Sequence, residues 1–277
     1  MQFTKMHGLG NDFILVDDRE GVFPTPENGA GELARAMCDR RAGIGADGVL
    51  LLQNCGEADI QMRIYNNDGS VAEMCGNGIR CFAKYAYDRG VVRQESFSVL
   101  TGAGEQRAWI CANEGVAAAV RICLGQPLLR KPEIPMAGEG ACNLEQITAL
   151  GRTFTIGAAR LGVPHIAVFL QEDITEEDIC KYGAALEHHP LFPQRANVNF
   201  VQIAGENTLR IRTWERGCGR TLACGTGSGA SAVLAARAGY TGRHVTVQLQ
   251  LGELDIVWAE DGVYMTGPAA YVFEGTY

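Results

Sequence analysis

The chain has 277 residues, which is long enough for two domains that each bury a core of their own. Apolar residues make up 47% of it and charged residues 20%, as in globular rather than disordered proteins. The formal charge is −8 without a cluster of Lys and Arg, so neither nucleic acid nor an anionic membrane is expected as a partner. No apolar run is long enough to span a membrane, and the start lacks a signal-peptide h-region.

Ten cysteines without a secretory segment predict free thiols in a reducing cytoplasm. The Cys-x5-Cys spacings at Cys75/Cys81 and Cys218/Cys224 match no common zinc motif, so no metal is expected. None of the four lysines lies beside a phosphate-cradling loop, which argues against a pyridoxal Schiff base. The sequence therefore predicts no cofactor.

In chain order, the first 124 residues alternate short apolar strands with helical patterns. The expected strands are residues 13–16, 49–52, 60–65, 96–100, 104–110 and 116–124. The expected helices are residues 32–40 and a segment that begins near Cys75 and ends near Gly90.

After residue 127 the same pattern begins again. Cys75-Gly-x-Gly recurs at Cys224, 149 positions later, and Gly90 recurs at Gly239 with the same offset. A constant offset over most of each half indicates an internal duplication. We therefore expect an α+β fold of two pseudo-symmetric halves, each a mixed or antiparallel sheet around a central helix. The expected halves are residues 1–118 and 119–269, with the tail 270–277 returning to the first.

Each repeat places a cysteine directly before glycines and a run of helix-forming residues. The first N–H groups of a helix have no intrahelical partner, so such an end binds a carboxylate and lowers the pKa of an adjacent thiol. Two such ends facing one another across an interdomain cleft could remove a proton from one face of a carbon and return one to the other. The alternative is that Cys75 and Cys224 are buried structural cysteines.

Around these cysteines the chain resembles the diaminopimelate epimerase family, whose members use two catalytic cysteines and no cofactor. The resemblance covers essentially the full length. It rests on residues 8–13 (GLGNDF), 65–70 (YNNDGS), 75–81 (CGNGIRC), 192–198 (FPQRANV) and 215–227 (ERGCGRTLACGTG). It implies epimerisation of LL- to meso-diaminopimelate in lysine and peptidoglycan biosynthesis, by a cytoplasmic homodimer that binds a small amino acid.

By the resemblance, Cys75 and Cys224 are the acid/base pair, and His165 and Glu215 tune their proton affinity. The residues that would bind the substrate are Asn11, Asn66, Gly76, Asn77, Asn197, Glu215, Arg216, Gly225 and Thr226. Two alternatives stay open, because His165 could be a core histidine and Glu215–Arg216 a surface ion pair.

Three positions depart from the family pattern. Val163 stands where the family has an asparagine in Gly-Asn-Pro-His, and Arg220 stands where it has a glutamate in Gly-Glu-Thr. Gly48 stands where some members have glutamine. Losing one hydrogen bond to a charged group costs about 1.5–3 kcal/mol, which is enough to change substrate preference.

These departures leave three readings of the function. The first is diaminopimelate epimerase, and the second is the same two-thiol chemistry on another amino acid such as histidine. The third is a non-catalytic amino-acid-binding or thiol-redox protein.

Overall fold

The computed structural model describes residues 1–277 and contains eighteen strands and four α-helices. The strands are β1 (Gln2–Gly8), β2 (Asn11–Asp17), β3 (Gly48–Gln53), β4 (Ile60–Asn66), β5 (Val71–Ala72), β6 (Ser96–Thr101), β7 (Gly104–Asn113), β8 (Val116–Cys123), β9 (Glu145–Ala149), β10 (Arg152–Leu161), β11 (Val163–Leu170), β12 (Asn197–Gly205), β13 (Thr208–Glu215), β14 (Gly219–Thr221), β15 (His244–Leu249), β16 (Gly252–Trp258), β17 (Val263–Gly267) and β18 (Ala270–Thr276). The helices are α1 (Ala30–Cys38), α2 (Gly76–Asp88), α3 (Glu176–Glu187) and α4 (Gly225–Arg237), with 3₁₀ turns at Pro26–Asn28 and Lys131–Glu133.

The chain divides into two compact units. The first comprises Met1–Ile122 and Gly267–Tyr277, and the second comprises Cys123–Thr266. Strand β18 pairs antiparallel with β1, which ties the end of the chain to the first unit.

Strands pair in the same order in both units. In the first unit β1–β2 is antiparallel, β2–β3 parallel, β3–β4 antiparallel, β4–β6 parallel, and β6–β7 and β7–β8 antiparallel. In the second, β10–β11 is antiparallel, β11–β12 parallel, β12–β13 antiparallel, β13–β15 parallel, and β15–β16 and β16–β17 antiparallel. The α+β fold with mixed sheets that the duplication predicts is confirmed.

Each sheet is covered by one helix on each of its two faces. Its central strands are therefore buried along almost their whole length. In the first unit Ile14, Val49 and Leu51 pack in a core cluster with α1, while α2 packs against β1, β2, β3 and β7. In the second unit the corresponding core cluster lies beneath α3, and α4 packs against β10, β11, β12 and β16.

The two central helices correspond residue for residue. Both α2 and α4 have 13 residues, and each follows an extended cysteine at its N-cap, Cys75 or Cys224. Beyond each helix a glycine adopts positive φ, 68° at Gly90 and 76° at Gly239. An L-residue with a side chain is disfavoured in that conformation, so these glycines end the helices as the sequence predicts.

Each central helix has a glycine in its first turn that faces the sheet, and the two glycines lie at different distances from it. A Cβ built on Gly227 would lie 2.3 Å from Asn199 Oδ1, whereas one on Gly78 would lie 3.3 Å from Leu50 Cδ2. The first separation is a clash and the second is only a tight contact. The closest approach of helix to sheet in this turn therefore lies in the second unit.

Gly227→Ala is expected to lower the free energy of unfolding by about 1–3 kcal/mol, since the new methyl group overlaps a buried amide. Gly78→Ala is the matched control and is expected to be near neutral, because a gain in helix propensity of up to ~1 kcal/mol offsets its tight contact. Urea unfolding of both variants measures the difference. Equal losses in the two variants would contradict the different approach distances.

Candidate active site

Cys75 caps α2 with its sulfur. Its backbone is extended, with φ −141° and ψ 118°, and the Gly78 N–H donates to Sγ at 3.5 Å. The sulfur also lies 3.6 Å from Asn11 Oδ1. The Gly78 N–H and the helix dipole favour a thiolate at this position, whereas the Asn11 oxygen can only accept a hydrogen bond and favours the S–H form.

Asn11 is held in one orientation by partners at both ends of its amide. Its Nδ2 donates to Asp47 Oδ2 at 2.7 Å, and its Oδ1 accepts from Asn77 Nδ2 at 3.1 Å. The Asp47 carboxylate can only accept, so it determines which end of the amide is the donor. The Asn11 oxygen is therefore the end that faces Cys75.

Asp47 belongs to a charged cluster beneath this turn. Asp12 forms ion pairs with Lys5 and Arg40, both at 2.7 Å, and Arg40 also pairs with Asp47 at 2.8 Å. Burial by itself would raise the pKa of Asp12, but hydrogen bonds from Arg40 and Lys5 outweigh it and lower that pKa to about 2. The sequence indicates Asp47 only by its position directly before Gly48 and a buried strand, so its role could not be predicted from residue order.

Cys224 occupies the equivalent N-cap of α4 and is buried, with 5% of its surface exposed. Its Sγ lies 3.6 Å from Thr226 Oγ1. Burial raises the pKa of this thiol well above its ordinary value, and the nearby Glu215 carboxylate raises it further; hydrogen bonds from Thr226 and the Gly227 N–H act in the opposite direction. In this structure Cys224 is therefore a protonated thiol.

His165 is fully buried on β11. Burial lowers its pKa to about 3, which the carbonyl of Leu161 partly opposes and the charge of Arg216 assists. The imidazole is neutral at physiological pH, so it can act as a hydrogen-bonding dipole but not as a cation.

The remaining expected binding residues lie at strand ends, in a loop and at the helix starts. Asn197, at the start of β12, accepts the Arg216 N–H through Oδ1 at 2.7 Å, and the Arg216 guanidinium donates to the Gln194 carbonyl at 3.0 Å. Asn66, at the end of β4, donates to Ser70 Oγ at 2.9 Å. The N–H groups at the two helix starts belong to Gly76, Asn77, Gly225 and Thr226.

Two of the three departures have a structural explanation. A Cβ at Gly48 would lie 2.6 Å from the Tyr65 carbonyl oxygen, so this backbone leaves no room for a side chain there. Arg220 forms a two-point ion pair with Glu176 at 2.8 and 3.1 Å and also contacts Gln250 at 3.0 Å. Its cation is therefore neutralised by Glu176 and is not the free positive charge that the sequence suggested.

Val163, the third departure, begins β11 and is half-buried. Its side chain has no hydrogen-bonding atom, so it can offer a ligand only apolar contact.

The structure thus assembles a cysteine-centred group of side chains within each unit. Cys75 lies with Asn11 and Asn77 in the first, and Cys224 lies with Thr226 and Glu215 in the second. No group of three or more His, Cys, Asp or Glu side chains could hold a metal ion. None of the helices is both long and apolar enough to cross a membrane.

Solved structures of other proteins share this fold. A phenazine biosynthesis protein of the PhzF family from Bacillus anthracis superposes with a TM-score of 0.74 at 16% identity, covering 99% of this chain and 98% of that one. A hydroxyproline epimerase from Agrobacterium vitis superposes with a TM-score of 0.66 at 17% identity, covering 99% and 91%. At such low identity these likenesses show a shared two-unit fold and nothing finer.

The family follows from the sequence comparisons. The family model for diaminopimelate epimerase matches residues 3–127 and 157–272. Diaminopimelate epimerases of Moorella thermoacetica and Pelotomaculum thermopropionicum are 47% and 48% identical to this chain, each covering 100% of it and 99% of the relative. The chain belongs to the diaminopimelate epimerase family, as its motifs indicate, and that family is one of isomerases.

The Asp12 ion pairs should make stability depend on pH in a defined window. The pKa of this carboxyl is about 2 in the folded protein against an ordinary value of 3.8. Because the folded pKa is the lower one, the stabilisation is complete above about pH 5 and is lost as pH falls through about 2.

Asp12→Asn is expected to lower the free energy of unfolding by on the order of 2 kcal/mol at pH 6. The difference from the wild type should narrow as the pH approaches 2. Urea midpoints between pH 2.5 and pH 6 measure it. Asp173→Asn, at an exposed position, is the control and should follow the wild type. A gap for Asp12→Asn that does not change with pH would contradict the assignment.

Proposed function

We propose that the protein epimerises LL-diaminopimelate to meso-diaminopimelate without a cofactor, with Cys75 and Cys224 as the two proton carriers. The observation that carries the proposal is the repeated cysteine at the N-cap of two equivalent 13-residue helices. Relatives that match the chain along its full length are named diaminopimelate epimerase.

The reaction exchanges one proton at one carbon. A thiolate takes the α-proton from one face of that carbon, and the electron pair left behind spreads into the adjoining carboxylate. The other thiol then delivers its proton to the opposite face, so one thiolate and one thiol exchange roles in each turnover. A thiol suits both tasks, because its ordinary pKa of ~8.5 allows either form near neutral pH.

The helix starts stabilise the charge that develops on the carboxylate. The backbone N–H groups of Gly76 and Asn77, and of Gly225 and Thr226, belong to the first turns of α2 and α4 and lie at the positive ends of the helix dipoles. Donors fixed before the reaction stabilise charge that appears only during it, which is how such groups lower a barrier.

We assign the two thiols different protonation states at the start of the reaction. Burial and Glu215 favour the protonated form of Cys224. Cys224 is therefore the proton donor in the direction that begins from this state, and Cys75 is the base. In the reverse direction the roles exchange. His165 modulates Cys224 as a neutral group, since its pKa of about 3 excludes a cation.

The distal end of the substrate needs partners of its own. We assign this role to Asn11, Asn66, Asn197 and Arg216, with Glu215 available for an ammonium group. Arg216 is exposed, and its guanidinium can form a charge-assisted pair with a carboxylate. The homodimer and the cytoplasmic location implied by the family resemblance are part of this proposal.

Cys75→Ala and Cys224→Ala are each expected to lower epimerisation by at least roughly a thousandfold, because each removes one of two obligatory proton carriers. The assay follows meso-diaminopimelate formation and the incorporation of deuterium from deuterium oxide at the α-carbon. Cys111→Ala and Cys180→Ala, at exposed positions, are the matched controls and should keep wild-type rates. Wild-type turnover in either of the first two variants would exclude the two-thiol mechanism.

Val163 favours a second candidate, which is the same chemistry on a different amino acid. Asparagine in its place would restore a hydrogen-bonding amide, and we expect Val163→Asn to raise kcat/KM on diaminopimelate roughly tenfold. Val163→Ala is the control that removes bulk without adding an amide, and it should bring no gain. Loss in both variants would show that this position does not serve the distal group.

Wild-type deuterium incorporation across a panel of diaminopimelate isomers and L-amino acids, histidine included, decides between the candidates. A diaminopimelate epimerase incorporates label only into diaminopimelate, and a racemase of other specificity incorporates it only into its own substrate. A non-catalytic binding protein incorporates none.

A further inference from the structure

The duplication is broken at one place, directly beneath the first turn of the cysteine-capped helix. In the first unit, Gly78 of α2 faces Leu50 and Phe13. In the second unit, Gly227 of α4 faces Asn199. Leu50 and Asn199 are equivalent. They are 149 positions apart, and each lies on the second strand of its unit's parallel pair, β3 in β2–β3 and β12 in β11–β12.

Two neighbouring pairs of equivalent positions likewise have an apolar residue in the first unit and a polar residue in the second. Leu50 pairs with Ile64 across β3 and β4, and Asn199 pairs with Thr213 across β12 and β13. In the adjoining parallel strand, Phe13 lies opposite Gly48 and His165 lies opposite Asn197. The equivalent sets are Phe13, Leu50 and Ile64 in the first unit and His165, Asn199 and Thr213 in the second.

All six side chains are buried, with at most 3% exposed. Three polar groups at core positions cost free energy unless they are hydrogen-bonded, and an apolar set in the other unit shows that the fold does not need them. The polar set therefore has a task that packing does not explain.

The hydrogen bonds within this set fix the direction of each group. Thr213 Oγ1 donates to Asn199 Oδ1 at 3.2 Å. Asn199 Nδ2 donates to the Ile166 carbonyl at 3.2 Å and lies 3.4 Å from His165 Nδ1. A carbonyl only accepts, so reversing the Asn199 amide would lose the Ile166 bond and turn an oxygen toward that carbonyl, whereas the Thr213 hydroxyl can donate or accept and fits either orientation.

This direction determines the tautomer of His165. A ring nitrogen that accepts from an N–H carries no proton, so Nδ1 is bare and the single proton of the neutral imidazole is on Nε2. The Nε2 atom is buried and has no hydrogen-bond partner within the protein. The Leu161 carbonyl, which raises the pKa of the imidazole, also interacts with the ring.

We propose that Asn199 and Thr213 are positioning residues, which hold His165 as the Nε2–H tautomer and support the first turn of α4 that carries Cys224. The catalytic consequence rests on the proposed function, and the tautomer does not. The second unit then presents its cysteine over a hydrogen-bonded polar set, and the first presents its cysteine over an apolar one. Two thiols of common ancestry thereby acquire different surroundings.

The tautomer is tested by long-range ¹H–¹⁵N correlation NMR on protein labelled in its five histidines, with His165→Gln to assign the signals. In the wild type, Nδ1 of His165 should be unprotonated and Nε2 protonated. Asn199→Asp places a carboxylate at the ring and should move a proton to Nδ1. Thr213→Val removes one of the hydrogen bonds that hold the Asn199 amide in place, so the amide should bind the ring less firmly and a mixture of tautomers should appear.

Thr246→Val is the matched control, since it makes the same substitution on β15 of the same sheet and should leave the His165 signals unchanged. Thr213→Val is expected to lower kcat roughly tenfold with little change in KM, because the substrate still binds while the proton carriers are misplaced. Thermal unfolding of each variant establishes that it is folded.

Nδ1–H in the wild type, or a tautomer that does not respond to Asn199→Asp and Thr213→Val, would overturn the positioning role. A tautomer shift with unchanged kcat would overturn its catalytic part. If wild-type protein shows the expected tautomer but does not act on diaminopimelate, the proposed function fails and the positioning of His165 stands.

Discussion

The contact between the first turn of each central helix and its sheet is the constraint on which the structure depends. In the first unit an extended cysteine ends the preceding loop, the Gly78 N–H donates to the Cys75 sulfur, and the first N–H groups of α2 lie at the positive end of its dipole. A helix start of this kind favours an anion. The second unit repeats the extended cysteine before the helix, so each half of the chain has a thiol beside the first N–H groups of a helix.

The surroundings of the two turns are organised by different forces. Around Cys75 the support is ionic, because Asp47 orients the Asn11 amide and is itself tied to Asp12 through Arg40. Around Cys224 the support is a buried set of neutral hydrogen bonds, and the thiol is enclosed enough for its pKa to rise. The same ancestral element is thus held by two networks with different responses to pH and burial. An enzyme that needs one thiol and one thiolate benefits from such unequal surroundings.

Charged residues that depart from a family pattern have to be judged by their partners. Arg220 replaces an acidic residue in the motif, yet its guanidinium is bound by Glu176 at the start of α3 and by Gln250. The ion pair keeps the local charge near neutral, so the change of sign in the sequence does not leave an unpaired positive charge at Arg220. Val163 has no such compensation, so it remains the position at which substrate preference can differ from that of the relatives.

The sequence by itself determined the duplication, the α+β class, the family and the two cysteines, because helix starts, strand periodicity and the 149-residue offset are local patterns written in residue order. It placed the ends of α2 and α4 at Gly90 and Gly239, where positive φ requires glycine. Only the tertiary structure decided that Asp47 orients Asn11, that Glu176 neutralises Arg220, and that Asn199 and Thr213 hold His165. Those partners lie 14 to 44 positions apart in the chain. Strand pairing and helix packing alone bring them within hydrogen-bonding distance.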